Sequence, residues 1–121
     1  RLFGGKLGGA GGASAPTTFE LPKAEASEGA IAPSLVSLGR GAFLLAWTGG
    51  PASAHQVRAQ VIDAAGVPAG DAFDVSERGA NAGQARGAVN EAGRGALVYF
   101  AAKDADYELL AAPIVCSKDG K

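Results

Sequence analysis

The sequence predicts an all-β protein, and three observations indicate this class. The chain of 121 residues contains 19 glycines, which interrupt nearly every window long enough for three turns of helix. Short apolar stretches of strand length alternate with turns that contain glycine. The sequence also matches itself, without a gap, when it is shifted by 54 residues, so the same strand and turn pattern recurs along the chain.

The self-match is densest around one turn. The sequence Gly-Arg-Gly-Ala at 39–42 recurs at 93–96, and the apolar segment 43–45 that follows it recurs in character at 97–99. The beginning of the chain fits the same frame as the end of a preceding unit. The predicted division of the chain is therefore a tail of that unit with a linker at 1–30, a first repeat at 31–84 and an incomplete second repeat at 85–121.

Each repeat is expected to contain four short strands joined by tight turns. In the first repeat the pattern predicts strands at 33–38, 42–48, 56–63 and 71–76. The first two have copies at 87–92 and 96–102, and the Gly-Arg-Gly turn at 39–41 has its copy at 93–95. A third strand near 111–117 would end the second repeat before a fourth. The tail would supply an unpaired third strand at 1–8 and a fourth at 17–22.

One set of residues carries a resemblance to a known group of proteins. It consists of Pro33, Val36, Gly41-Ala42-Phe43, Trp47, Val57-Arg58-Ala59-Gln60, Ile62-Asp63, Gly66, Phe73 and Val75. In this spacing the chain resembles bacterial secreted and cell-surface repeat proteins with β-propeller-like blades. The second copy departs from the pattern, since Gly87 stands in place of the proline and Ala101 in place of the tryptophan.

The resemblance implies about two four-stranded antiparallel propeller-like blades. It also implies an extracellular, cell-surface or periplasmic location in a bacterium. The alternative fold is a β-sandwich, in which the two units close on each other.

Charge and composition argue against several function classes. The net charge is −1, and lysine and arginine are scattered, so no basic face for nucleic acid is expected. No apolar stretch approaches the ~20 residues that span a bilayer as a helix. His55 is the only histidine, and no Gly-x-Ser-x-Gly elbow accompanies it. We therefore expect no enzyme and no cofactor.

Alternating carboxylates suggest one metal site. Asp104, Asp106 and Glu108 fall between the second and third strands of the second repeat. Carboxylate oxygens are the ligands that Ca²⁺ prefers, so these residues are candidate calcium ligands. The other interpretation is a solvated acidic turn.

Two further side chains each have two interpretations. Cys116 is the only cysteine, so it is either a small apolar strand residue or a candidate for an intermolecular disulfide. Trp47 shares a strand face with Phe43 and Leu45, which favours core packing over an exposed platform for sugars.

The predicted function follows from the unpaired strands. Two blades cannot close a ring, so the open strand edges would be covered by other blades of the same protein or by partner subunits. We expect a non-catalytic scaffold or binding segment of an exported bacterial β-repeat protein that acts through protein–protein contacts. The alternative is a set of non-catalytic blades from a larger secreted enzyme or from a carbohydrate-binding propeller.

Overall fold

The computed structural model of the protein describes residues 3–6, 17–20, 31–51 and 53–116, and these form strands and turns only. The nine strands are β1 (Phe3–Lys6), β2 (Thr17–Glu20), β3 (Ile31–Gly39), β4 (Ala42–Gly49), β5 (Gln56–Ile62), β6 (Pro68–Asp74), β7 (Ala82–Val89), β8 (Arg94–Lys103) and β9 (Asp106–Val115). The all-β prediction is confirmed. Within these ranges there is no helix with the length and apolar character needed to cross a membrane.

The strands form three antiparallel sheets. Their orders are β1-β2, β3-β4-β5-β6 and β7-β8-β9, so every hydrogen-bonded neighbour is also a neighbour in sequence. We call β3–β6 the first sheet and β7–β9 the second sheet. These two sheets pack face to face and stay open at their edges, which is consistent with a β-sandwich.

The first sheet follows the predicted pattern closely. The turn between β3 and β4 places Arg40 and Gly41 at φ angles of 54° and 78°, the left-handed conformation that two-residue hairpins require. The strand β6 begins three residues earlier than predicted and ends at Asp74 rather than at residue 76. The reason for this early end is that Ser76 turns inward, where its Oγ accepts a hydrogen bond from the N–H of Val57 at 2.9 Å.

The second sheet corrects three predictions. The turn expected at 93–95 lies earlier, because the Asn90 Oδ1 accepts hydrogen bonds from the N–H groups of Ala92 and Arg94 and closes the hairpin there. Arg94 and Gly95 are consequently part of β8. The strand β7 begins at Ala82 rather than at residue 87. The strand β9 begins at Asp106, after a two-residue turn, rather than near residue 111 as predicted.

The hydrophobic core lies between the first and second sheets. Its buried members are Val36, Leu44, Ala46, Val57 and Ala59 from the first sheet, and Ala82, Ala85, Leu97, Tyr99 and Ala101 from the second. The strand β7 is the part of the second sheet that lies against the first sheet, since it contacts β3, β4 and β5. The strand β8 reaches the core through its larger side chains, Leu97 and Tyr99.

The first sheet is buried on its other face as well. Leu45, Trp47 and Ile62 form a second cluster there, and Trp47 is only 1% exposed. The continuous apolar run of β4 predicts this two-sided burial. Because Trp47 lies inside the protein, it cannot serve as a surface platform for sugars.

The two faces of the first sheet give a direct test of the core. Leu44→Ala should lower the free energy of unfolding by about 2–5 kcal/mol, because Leu44 is 4% exposed between the sheets. Leu35→Ala is the matched control, since Leu35 is 62% exposed, and it should change the free energy by less than about 0.5 kcal/mol. Urea unfolding followed by Trp47 fluorescence measures both, and equal effects would contradict the assignment of the core.

Candidate interaction surface

Each sheet has two faces that its hydrogen-bond ladder distinguishes. In an antiparallel sheet, successive residues of a strand direct their N–H and C=O groups to opposite neighbours, and their side chains to opposite faces. The second strand is β4 in the first sheet and β8 in the second sheet. Along this strand, every other residue directs its N–H and C=O groups toward the first strand of the same sheet. We define the front face as the face that carries the side chains of those residues, and the back face as the other one.

In the first sheet the front face contains Leu44, Ala46 and Thr48. The C=O of Val57 accepts from the N–H of Val75 at 2.9 Å, and its N–H donates to Ser76, so the peptide groups of Val57 point toward β6. Its register partner Thr48 therefore directs its own peptide groups toward β3. Leu44 and Ala46 follow in alternation, and both belong to the core that faces the second sheet.

In the second sheet the front face contains Val98, Phe100 and Ala102. The N–H of Ala102 donates to the C=O of Asn81 just before β7, at 3.2 Å, and this bond sets the phase of the alternation along β8. The opposite face of β8 carries Leu97, which is buried against the first sheet. The front face of the second sheet therefore points away from the first.

The two sheets thus bury unlike faces. The front of the first sheet packs on the back of the second. Two similar units that closed on each other as a symmetric pair would instead bury like faces. The contact seen here uses one face of each sheet and leaves the front of the second sheet exposed.

The exposed front of the second sheet is a continuous apolar surface. Its members on β8 and β9 are Ala96, Val98, Phe100, Ala102, Tyr107, Leu109, Ala111, Pro113 and Val115. Phe100 is 47% exposed, Tyr107 69%, Leu109 62% and Val115 65%. Exposed patches of this kind on soluble proteins mark sites of interaction. The charged residues of this front face that take part in strand pairing are Arg86, opposite Val98, and Arg94, opposite Val115.

The structure does not gather the predicted calcium ligands. Asp104 lies in the turn between β8 and β9, whereas Asp106 and Glu108 lie on β9. The Asp106 Oδ1 accepts from the N–H of Tyr107, and the Glu108 Oε2 is 3.6 Å from the Lys103 Nζ. In the part of the chain that the structure describes, no group of three or more His, Cys, Asp or Glu side chains is placed to hold a metal ion.

Cys116 follows the end of β9 and is half-buried. Its N–H donates to the C=O of Gly93 at 2.8 Å, which extends the ladder beyond Val115 by one residue. The thiol is free. An intermolecular disulfide through Cys116 stays a prediction.

A cleft of about 740 Å³ lies between the sheets. One wall comes from the first sheet and includes Val61, Phe73 and Val75. The other wall comes from the second sheet and includes Ala112 and Ile114 of β9. Arg40, Asp74, Asn90, Glu91 and Cys116 also border the cleft. The space therefore combines apolar walls with charges of both signs.

Asp74 forms the best-defined ion pairs beside this cleft. The Arg58 Nε lies 3.0 Å from the Asp74 Oδ1, and the Arg78 Nε lies 3.3 Å from the Asp74 Oδ2. Burial alone would raise the pKa of Asp74. The hydrogen bonds from Arg78 and Arg58, together with their positive charge, outweigh burial, so the pKa lies below its ordinary value of 3.8.

Comparison with known proteins found no match for this chain, whether among family models, curated proteins or solved structures.

The Asp74 ion pairs predict a pH-dependent contribution to stability. A depressed pKa in the folded state stabilises the protein above the unfolded pKa, and this contribution is lost as the pH falls through the folded pKa. Asp74→Asn should therefore cost about 0.5–1 kcal/mol or less at neutral pH, since the side chain of Asp74 is 32% exposed. The cost should shrink as the pH falls below about 4.

Urea unfolding of both proteins across this pH range measures the difference. Arg58→Gln removes one of the two partners and is expected to reduce the same pH dependence in part. A difference between wild type and Asp74→Asn that stays constant from neutral to acidic pH would contradict the assigned pKa direction.

Proposed function

We propose that this chain is a non-catalytic scaffold segment of an exported bacterial β-repeat protein, and that it acts through protein–protein contacts between successive sheets. The observation that carries this proposal is the exposed apolar front face of the second sheet. Its partner would be a further unit of the same kind, from another part of the same protein or from another subunit.

The register of the sequence repeat supports this proposal. A shift of 54 residues aligns Leu44 with Val98, Ala46 with Phe100, and Thr48 with Ala102. These six residues all lie on the front faces of β4 and β8. The face that the first sheet buries against its neighbour therefore corresponds to the face that the second sheet leaves exposed. A third sheet would pack there by the same geometry.

The same correspondence favours propeller-like blades over a closed sandwich. Blades around an axis pack each front on the next back, whereas a sandwich of two units is complete when it has formed. The resemblance to bacterial secreted and cell-surface repeat proteins fits this arrangement. It is also the basis for the proposed extracellular, cell-surface or periplasmic location.

A carbohydrate-binding role receives less support. Phe100 and Tyr107 are exposed aromatic side chains, as sugar sites require, but their ladder neighbours Leu109 and Ala102 are apolar. Sugar hydroxyls need hydrogen-bonding partners that these neighbours lack. Phe100 and Tyr107 fit an apolar protein surface better.

The proposal predicts association through the front face. Phe100→Asp places a carboxylate in the centre of this face, and burying it without a partner would cost several kcal/mol. The variant should therefore weaken association by roughly a hundredfold or more. Static light scattering on a size-exclusion column should show masses above 11.9 kDa for the wild type and a shift toward 11.9 kDa for the variant.

Val67→Asp is the matched control. Val67 is 53% exposed, close to the exposure of Phe100, but it lies in the turn before β6 and outside the front face. It should leave the mass unchanged. A wild-type chain that stays a compact, cooperatively melting monomer at high concentration would support the sandwich instead and overturn the proposed stacking.

A further inference from the structure

We propose that Thr48 and Ser34 select which unit packs on the first sheet, because their hydroxyl groups pair with backbone groups that only a bulged first strand presents. The second sheet has no hydroxyls at the matching positions of its front face, so it selects a unit whose first strand lacks such a bulge. This inference deepens the proposed function, on which it rests, because it names the residues that distinguish one partner unit from another.

The bulge lies in β7, the strand that contacts the first sheet. Gln84 and Ala85 lie between two register pairs of β7 and β8, whereas Tyr99 alone lies between those pairs on β8. Gln84 has a φ of 59°, in the left-handed region that residues other than glycine rarely adopt. Backbone strain of this kind persists where the surrounding groups hold it in place.

Two hydroxyl groups of the first sheet hold this bulge. The Thr48 Oγ1 accepts from the N–H of Gln84 at 2.9 Å, and the Ser34 Oγ donates to the C=O of Ala85 at 2.8 Å. The N–H and C=O groups of a regular strand lie in the plane of its own sheet and would not reach these hydroxyls. Because Thr48 is only 3% exposed, solvent would not replace the lost partner.

The first strand of the first sheet has a bulge of the same kind. The pairing of β3 with β4 shifts between Ile31 and Ser34, and Ala32, the second residue of this bulge, has a φ of 51°. Gln84 is likewise the second residue of its bulge. The recurrence of a left-handed bulge in both first strands indicates that it serves the contact between units.

The front of the second sheet has no hydroxyl at the matching positions. Ala102 takes the place of Thr48 under the shift of 54 residues. Gly83 takes the place of Ser34 in the strand pairing, since each lies opposite a matching residue of the second strand. Tyr107, opposite Ala102, carries its hydroxyl at the end of a side chain that is 69% exposed. A bulged strand that packed here would bury an N–H without an acceptor.

The two front faces therefore accept different first strands. A second copy of this chain can bury apolar surface on the front of the second sheet, but the N–H of Ala32 in its bulge would find no acceptor there. A first strand without a bulge leaves no such group unpaired. The hydroxyls of the first sheet thus determine the order in which units follow one another.

The first test stays within one chain and removes the acceptor. Thr48→Val replaces the hydroxyl with a methyl group of similar size. Hydrogen exchange at the Gln84 amide should then become at least about tenfold faster relative to the Leu110 amide, which pairs with β8. Thr48→Ser is the matched control, since it keeps the hydroxyl and should leave this ratio of exchange rates near that of the wild type.

The second test places the missing hydroxyl on the second sheet. Ala102→Thr adds an acceptor at the position that matches Thr48, and Ala102→Val adds the same bulk without it. Ala102→Thr should associate at least about tenfold more tightly than Ala102→Val, because the bulge of β3 in a second copy then finds its acceptor. Static light scattering over a series of concentrations measures both association constants.

Equal association of the two Ala102 variants would overturn the selection, and so would an unchanged ratio of exchange rates in Thr48→Val. Failure of the stacking gives a different result, since the wild type would then be a monomer while the exchange test within one chain is unaffected. A wild type that associates, with Ala102 variants that are equal, overturns the selection alone.

Discussion

The approach of β7 to the front of the first sheet is the contact on which the arrangement of the two sheets depends. A bulge interrupts the pairing of β7 with β8 between Gly83 and Arg86, so backbone groups there turn away from the ladder. The first sheet supplies their partners. The N–H of Gln84 donates to the Thr48 Oγ1 at 2.9 Å, and the Ser34 Oγ donates to the C=O of Ala85 at 2.8 Å.

Glycine makes this approach sterically feasible. A Cβ atom at Gly83 would lie 2.9 Å from the Thr48 Cγ2, closer than real contacts allow. The N–H of Ala82 also donates to the C=O of His55, at 2.7 Å. Polar bonds therefore hold the N-terminal half of β7 to the first sheet, and they satisfy groups that a hydrophobic interface would otherwise leave unpaired. The cleft lies at the other end of β7, beside Asn90 and Gly93.

The sequence was sufficient to predict the strands of the first sheet, because a continuous apolar run and glycine-containing turns are local signals. The same glycine-containing motif gave a wrong turn position in the second sheet. Gly-Arg-Gly forms a turn at 39–41 but lies partly in β8 at 93–95. The reason is that the side chain of Asn90 accepts hydrogen bonds that close the hairpin before residue 94. The start of β7 was not predicted because glycines lower strand propensity. Here they also allow β7 to approach the first sheet closely.

The candidate surface was harder to predict for a physical reason. The strand β9 is almost wholly apolar from Leu109 to Val115, so both of its faces look alike, and only the ladder shows which one is buried. The acidic residues near the turn show the influence of local partners. Their alternation suggested convergence on a metal, but Asp106 bonds to the neighbouring N–H of Tyr107 and Glu108 pairs with Lys103. Sequence spacing did not account for these local partners.

A contact between unlike faces gives the molecule a direction. Contacts between like faces are self-limiting, since a pair uses up both surfaces, whereas front-to-back contacts leave one free surface at each end of any stack. Such a series stops only when its curvature brings the last unit back to the first. In the proposed stacking, the angle between neighbouring sheets would set the number of units, and Gly83 lies against Thr48 in the contact between the two sheets. If the units stack as proposed, a small residue in one strand would influence whether they form a closed ring or an open fibre.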